Sequence, residues 1–334
     1  MPETLTRNES NPFPVVLVDG ATGYLGSHVA FYLAKRGYPV RCLVREKADR
    51  LDVEQLSRLG VEVVKADLSA GSLELEKAFE GVQVGVHLIG SIAPARGESL
   101  NDLHVQQSQF FAAQCLRAGV SKVIMVTTLG AAENAPSLYH STKWLAEEVL
   151  RKSGLPTIFL RPSLIVGKLA GRRDSKLVKR YRDMIKTKRF VPLLGGGSNK
   201  LQPIFIGDLL EVIRLSIDST ALAQGQEAAP AFELGGPQAI SMRQFVSALM
   251  QSLDLAKPVI DLPFPIASLA AGLSEMLQDV PVLSRDQLVI SKTDNVCQNN
   301  AAVSVFNLNT TDLKTALKSY EAEGKDLTLS GLRN

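Results

Sequence analysis

Residues 14–36 read PVVLVDGATGYLGSHVAFYLAKR and restrict the fold more than any other stretch. Val15, Val16, Leu17 and Val18 form a short valine-rich run, the mark of a strand buried on both faces. Gly20, Gly23 and Gly26 follow, and Leu25, Val29, Ala30 and Leu33 then recur on one helical face. A strand, a glycine turn and a helix N-terminus in that order belong to parallel α/β architecture. Glycine lets the backbone approach a phosphate, and the first helical N–H groups and the helix dipole favour negative charge. The turn therefore suits the pyrophosphate of a dinucleotide.

The first half of the chain continues the alternation. Strand-like runs are expected at 15–18, 40–44, 61–65, 84–89, 122–127 and 157–160. Helical patterns lie near 25–36, 53–59, 73–79, 102–117 and 138–152. This predicts an α/β fold: a doubly wound parallel sheet (Rossmann) with its ligand crevice at the strand C-terminal ends. Beyond about residue 164 the alternation weakens. A basic helix is expected over 174–188, a return strand near 202–206 and a helix over 241–253, where Ser241 and Gln244 have capping-box spacing. We therefore expect a flexible tail (1–13), a nucleotide-binding domain (14–165 plus about 200–235) and a smaller C-terminal substrate or partner lobe (166–199 plus 236–334).

A net charge of +3 is too small to imply a nucleic-acid partner. Cys42, Cys115 and Cys297 show neither zinc spacing nor a disulfide framework, which fits a reducing compartment. The polar, acidic first residues lack signal-peptide organisation, and no apolar run is long enough to span a bilayer. A cytoplasmic location is expected. His28, His87, His104 and His140 are scattered without ligand spacing, so no metal site is expected, and Trp144 reads as packing.

Tyr139 and Lys143 share one helical face. A lysine charge favours a phenolate, so Tyr139 is suited to exchange a proton with a substrate oxygen. At the end of the second strand, Arg45 and Lys47 suit a 2′-phosphate, whereas Glu46 suits free ribose hydroxyls. NADP is favoured, with NAD the alternative.

GATGYLG (20–26), Asp67-Leu68, VHLIG (86–90), Tyr139–Lys143, RPSLIVG (161–167) and QPIFIGDLL (202–210) together resemble the short-chain dehydrogenase/reductase superfamily, of the extended or atypical, epimerase/dehydratase-like kind. LYHSTKWLAEE and the later LSRDQLVISKTDNV narrow the likeness to bacterial relatives of the nucleotide-binding accessory subunit of respiratory complex I. The resemblance implies that Gly20, Gly23 and Gly26 cradle the pyrophosphate, with Thr22, Tyr24 and Leu25 in the same loop. Asp67 and Leu68 would face the adenine, Gly90 would pass beside a ribose, and Lys143 would hydrogen-bond the nicotinamide ribose. Pro162 and Ser163 would border the nicotinamide. Asp208 reads as a helix cap. The hydroxyl residue usual after the fifth strand is replaced by Leu129, leaving Thr127 or Thr128 to serve. Two functions follow: an NADP-dependent oxidoreductase or epimerase-like enzyme acting on a small molecule, or a non-catalytic NADPH-binding accessory protein of a respiratory or quinone-related membrane complex.

Two segments bear on partners. Residues Arg172–Arg189 hold nine basic and two acidic residues with apolar residues at helical spacing. That pattern suits either a solvated helix face or peripheral contact with a membrane or membrane complex. The apolar stretch 263–277 reads as lobe core or as a second membrane-facing patch.

Overall fold

The computed structural model describes residues 12–92, 97–224, 230–277 and 284–321. All but the end of the expected N-terminal tail lies outside them. The strands are β1 (Val16–Val18), β2 (Val40–Val44), β3 (Glu62–Lys65), β4 (Val84–His87), β5 (Lys122–Val126), β6 (Thr157–Pro162), β7 (Ile165–Val166), β8 (Val191–Leu194), β9 (Lys200–Leu201), β10 (Ile204–Phe205), β11 (Ala231–Leu234), β12 (Ile240–Ser241) and β13 (Val259–Leu262). The helices are α1 (Tyr24–Ala34), α2 (Arg50–Ser57), α3 (Leu73–Phe79), α4 (Gln107–Ala118), α5 (Leu138–Ser153), α6 (Lys176–Thr187), α7 (Ile206–Asp218), α8 (Ala221–Gln224), α9 (Met242–Ser252), α10 (Phe264–Leu277), α11 (Arg285–Ile290), α12 (Ala301–Ser304) and α13 (Leu313–Lys318). A π-helical turn over Asp102–Gln106 leads into α4.

Seven strands form one parallel sheet in the order β11-β6-β5-β4-β1-β2-β3. The two-residue alternation of each strand divides its apolar residues between two cores. Val16, Val18, Cys42, Val86, Ile124 and Leu160 face one side. Leu17, Leu43, Val123, Met125 and Phe159 face the other, against Leu75, Phe79 and Phe111. The chain winds outwards from β1 through β3 and then restarts at β4 on β1's other flank. The crevice of this topological switch opens between the C-terminal ends of β1 and β4.

Three two-stranded sheets, β7·β10, β9·β12 and β8·β13, carry the later part of the chain. The capping box of Ser241 and Gln244 forms as its spacing predicts. Two expectations are corrected. Phe205, not Asp208, is the N-cap of α7; Asp208 lies in the first turn and accepts from the Thr311 N–H (2.7 Å) and hydroxyl (2.9 Å). It clamps the segment around Thr311 to α7. The apolar side of α6 is not open to a membrane, because Val178, Tyr181 and Ile185 are buried in the main core. Among the described residues no helix is long and apolar enough to cross a membrane.

Candidate active site

The glycine turn follows β1 directly. Gly20 has φ of +57°, where a side chain is strained, and a Cβ there would press on the Leu88 backbone at 3.2 Å. Gly26 packs so closely that a Cβ would lie 2.8 Å from the Ala21 Cα. Gly23 is the N-cap of α1, which has neither a capping side chain nor a first-turn carboxylate. Its N-terminal N–H groups and positive dipole end fit a phosphate. Thr22, Tyr24 and Leu25 are half-buried in the same turn, but the Tyr24 hydroxyl is already committed, donating to the Gly167 carbonyl at 2.5 Å.

Opposite the turn, Gly90 follows β4. Any side chain there would collide with the Lys143 ammonium. Lys143, on α5, donates to the Ile89 carbonyl at 3.2 Å. Burial lowers its pKa to about 8, while Asp19 and Glu147 resist that fall. On the same helix, Tyr139 is held above its ordinary pKa by burial, opposed by a hydrogen bond with the Thr128 side chain. Burial is the larger of the two effects on that phenol.

The two threonines after β5 divide. Thr127 donates to the buried Glu147 at 2.7 Å, and Glu147 also takes Arg151 (2.8 Å) and Arg161 (2.9 Å). Thr128 meets Tyr139. Leu129 is buried and its carbonyl accepts from Asn295. Pro162 is buried beside it, accepting from the Leu129 N–H at 3.0 Å. The Ser163 hydroxyl donates to the Asn295 carbonyl at 2.9 Å and so staples a distant segment.

At the other end, Arg45, Glu46 and Lys47 stand exposed just past β2. The Arg45 guanidinium is 72% exposed and reaches Glu98 only at 3.6 Å. Asp67 is half-buried and Leu68 buried after β3.

Sequence reasoning missed a buried polar chain behind the crevice. Asp19, at the end of β1, accepts from the Leu88 N–H (2.6 Å) and pairs with His87. His87 reaches Ser108 at 2.9 Å, and Ser108 donates to the His104 carbonyl at 2.7 Å. His104 lies in the π-turn, its ring edge-on to Tyr139. It donates from Nδ1 to Thr142 at 2.9 Å and accepts at Nε2 from the Ser91 N–H. Burial pushes its pKa down to about 2, so it stays neutral. The available signal was a polar residue inside a run that reads as buried strand, since such a residue must find a partner. Among the described residues no cluster is placed to hold a metal ion.

A strap over 167–176 crosses the first turn of α1. His28 Nε2 accepts from the Leu169 (2.9 Å) and Ala170 (3.1 Å) N–H groups. Arg173 forks onto Asp52, Arg172 reaches Asp49, and Lys176 donates to Ser91 at 2.8 Å. Three cations of the basic stretch 172–189 thus pair with residues that follow β2 and β4.

The chain belongs to the NmrA-like family, whose model matches residues 14–181. It is 26% identical to the mitochondrial NADH dehydrogenase [ubiquinone] 1 alpha subcomplex subunit 9 of Arabidopsis thaliana, over 86% of this chain and 72% of that protein. It is 34% identical to the ceramide reductase of Caulobacter vibrioides, over 46% of this chain and 47% of that enzyme. Its fold is shared with the UDP-glucuronic acid 4-epimerase of Bacillus cereus, solved with UDP-glucuronic acid and NAD: TM-score 0.67, 16% identity, 91% of this chain and 97% of that one. The chain is thus an NmrA-like protein with a Rossmann fold of the kind found in sugar-nucleotide epimerases.

Proposed function

We propose that this protein is an NADP-dependent oxidoreductase that reduces a carbonyl carbon of a small molecule. The observation that carries it is that Tyr139 pairs with Thr128 from the same helix, α5, that sets Lys143 against Gly90 at the end of β4. The glycine turn and the α1 N-terminus would hold the pyrophosphate, Lys143 a ribose, and Arg45 with Lys47 a 2′-phosphate. Asp67 and Leu68 would line the adenine end. The nicotinamide supplies a hydride when bound. Tyr139, kept protonated by burial, gives its proton to the substrate oxygen, and Thr128 fixes that hydroxyl and the oxygen it faces. His104, neutral and edge-on, keeps the phenol in place. The later lobe, 166–199 plus 236–334, would close over the substrate.

A second reading is an NADPH-binding accessory protein without turnover. Likeness to a complex I subunit over most of the chain and Leu129 in the usual hydroxyl position favour it. One experiment separates the two: identify nucleotide that co-purifies, then follow NADPH oxidation across carbonyl and quinone compounds. Turnover that Tyr139→Phe abolishes supports the enzyme; bound nucleotide with no turnover supports the accessory role. Failure to bind any nicotinamide nucleotide overturns both.

A further inference from the structure

Helix α10 reads FPIASLAAGLSEML, with Glu275 its one charged residue. A helix apolar on every side is normally enclosed on every side. Of its described side chains, Ala267 and Ala271, one turn apart, are buried, packing with Leu288 of α11 and against Leu194 and Leu262. Ile266 and Leu269 are 59% and 71% exposed.

The apolar surface continues onto the β8·β13 ribbon. Leu194 and Leu262 face α10, so strand alternation puts Pro192 and Ile260, and Phe190 just before β8, on that same face. Phe190 and Ile260 are 48% and 45% exposed. The ribbon's other face, with Val191 and Leu193, is buried in the main core. Cations rim this surface. Lys188 and Arg189 precede Phe190. Lys257 precedes Pro258, whose carbonyl accepts from the Val191 N–H at 2.9 Å, so Lys257 lies in the loop just before β13, near the start of β8. Lys292 lies 5.1 Å from the Phe264 ring centre. The nearby Asp261 is on the opposite face and paired with Arg243.

We propose that this face docks on an anionic lipid bilayer. Ile266, Leu269, Phe190 and Ile260 enter the boundary between headgroups and acyl chains, and the Lys188, Arg189, Lys257 and Lys292 ammonium and guanidinium groups meet the headgroups. A rim rich in lysine suits lipid better than protein, since protein interfaces are depleted of it. The surface begins at the C-terminal end of α6 and does not use that helix's apolar side, which the core consumes, and the proposal does not depend on the nucleotide reading.

The test is flotation of the full chain with vesicles of phosphatidylglycerol and phosphatidylcholine, or phosphatidylcholine alone, at low and high salt. The wild type should bind the phosphatidylglycerol vesicles and weaken with salt. The double variant Ile266→Glu/Leu269→Glu should bind about tenfold less. Lys179→Glu, on α6, should bind as the wild type does. Thermal melts of each variant confirm folding. A wild type that does not float, or a double variant that floats equally, overturns the proposal. So does a concentration-dependent dimer in sedimentation that the double variant abolishes, which would assign the face to a second copy.

Discussion

Thr127 and Thr128 are neighbours with opposite duties, and the difference can be measured. Thr127→Val removes one donor from the buried Glu147, which keeps Arg151 and Arg161. The expected loss is about 1–2 kcal/mol of stability in chemical denaturation, with nucleotide affinity unchanged. Thr128→Val should leave stability alone and depress turnover. Tyr139→Phe should likewise keep NADPH affinity within about twofold, by titration calorimetry, while any turnover falls at least about a hundredfold. Lys143 adds a pH signature. In the proposed function its ammonium would be the ribose donor, and burial lowers its pKa to about 8 from 10.5. NADPH affinity should therefore decline as pH rises through about 8, and Lys143→Met should remove that decline. The stability sign is opposite: between 8 and 10.5 the unfolded chain holds the proton that the folded chain has lost, so stability rises with pH across that window.

The strap depends on a histidine that must stay neutral. Burial pushes the His28 pKa down from 6.5 to about 4, and its Nε2 accepts two strap N–H groups. Above 6.5 both folded and unfolded forms are neutral. As pH falls towards 4 the unfolded chain takes up a proton that the folded chain refuses, so stability is lost across that interval, by about 3 kcal/mol. His28→Gln keeps an acceptor and cannot titrate. Denaturation at both ends of the interval should show a shallower loss in the variant, and an unchanged slope would remove His28 as its cause. In sequence His28 was a scattered histidine on an apolar helix face, because its partners lie about 140 residues away. Local information served better where chemistry repeats locally. The alternation of strands and helices, the glycine turn and the capping box at Ser241 were all readable from spacing alone. The cap of α7 was misread because Asp208 has the right side chain at the wrong position in the turn. The amphipathic pattern of α6 was real, but period alone cannot say whether an apolar face meets lipid or its own core.

Long-range staples make the late chain part of the same cooperative unit as the glycine turn. Ser163 holds Asn295, Asn300 donates to the Gly235 carbonyl, and Asp208 holds Thr311. A single buried cluster runs from Val16 to Tyr320. The tightest closure is at Gly167. Its carbonyl accepts from the Tyr24 hydroxyl at 2.5 Å, and its N–H donates to the Tyr320 hydroxyl at 3.0 Å. Arg182 stacks over the Tyr320 ring at 4.3 Å, tying α6 into the same cluster. One residue therefore joins the nucleotide turn, the strap and the end of the described chain. Tyr320→Phe leaves the buried Gly167 N–H without its acceptor and should cost about 1–3 kcal/mol. Because Tyr24→Phe acts on the same residue, the two substitutions should not add. A double-mutant cycle in chemical denaturation should give a coupling of about 0.5–3 kcal/mol. The coupling should also reach the nucleotide. A ligand present at a hundred times its dissociation constant adds about 2.7 kcal/mol to the folded state. At that fixed concentration, Tyr320→Phe should raise less on NADPH addition than the wild type does, because loosening Gly167 loosens the turn that would hold the pyrophosphate. An equal rise in melting temperature for both proteins would mean that the late chain braces the fold but leaves the turn untouched.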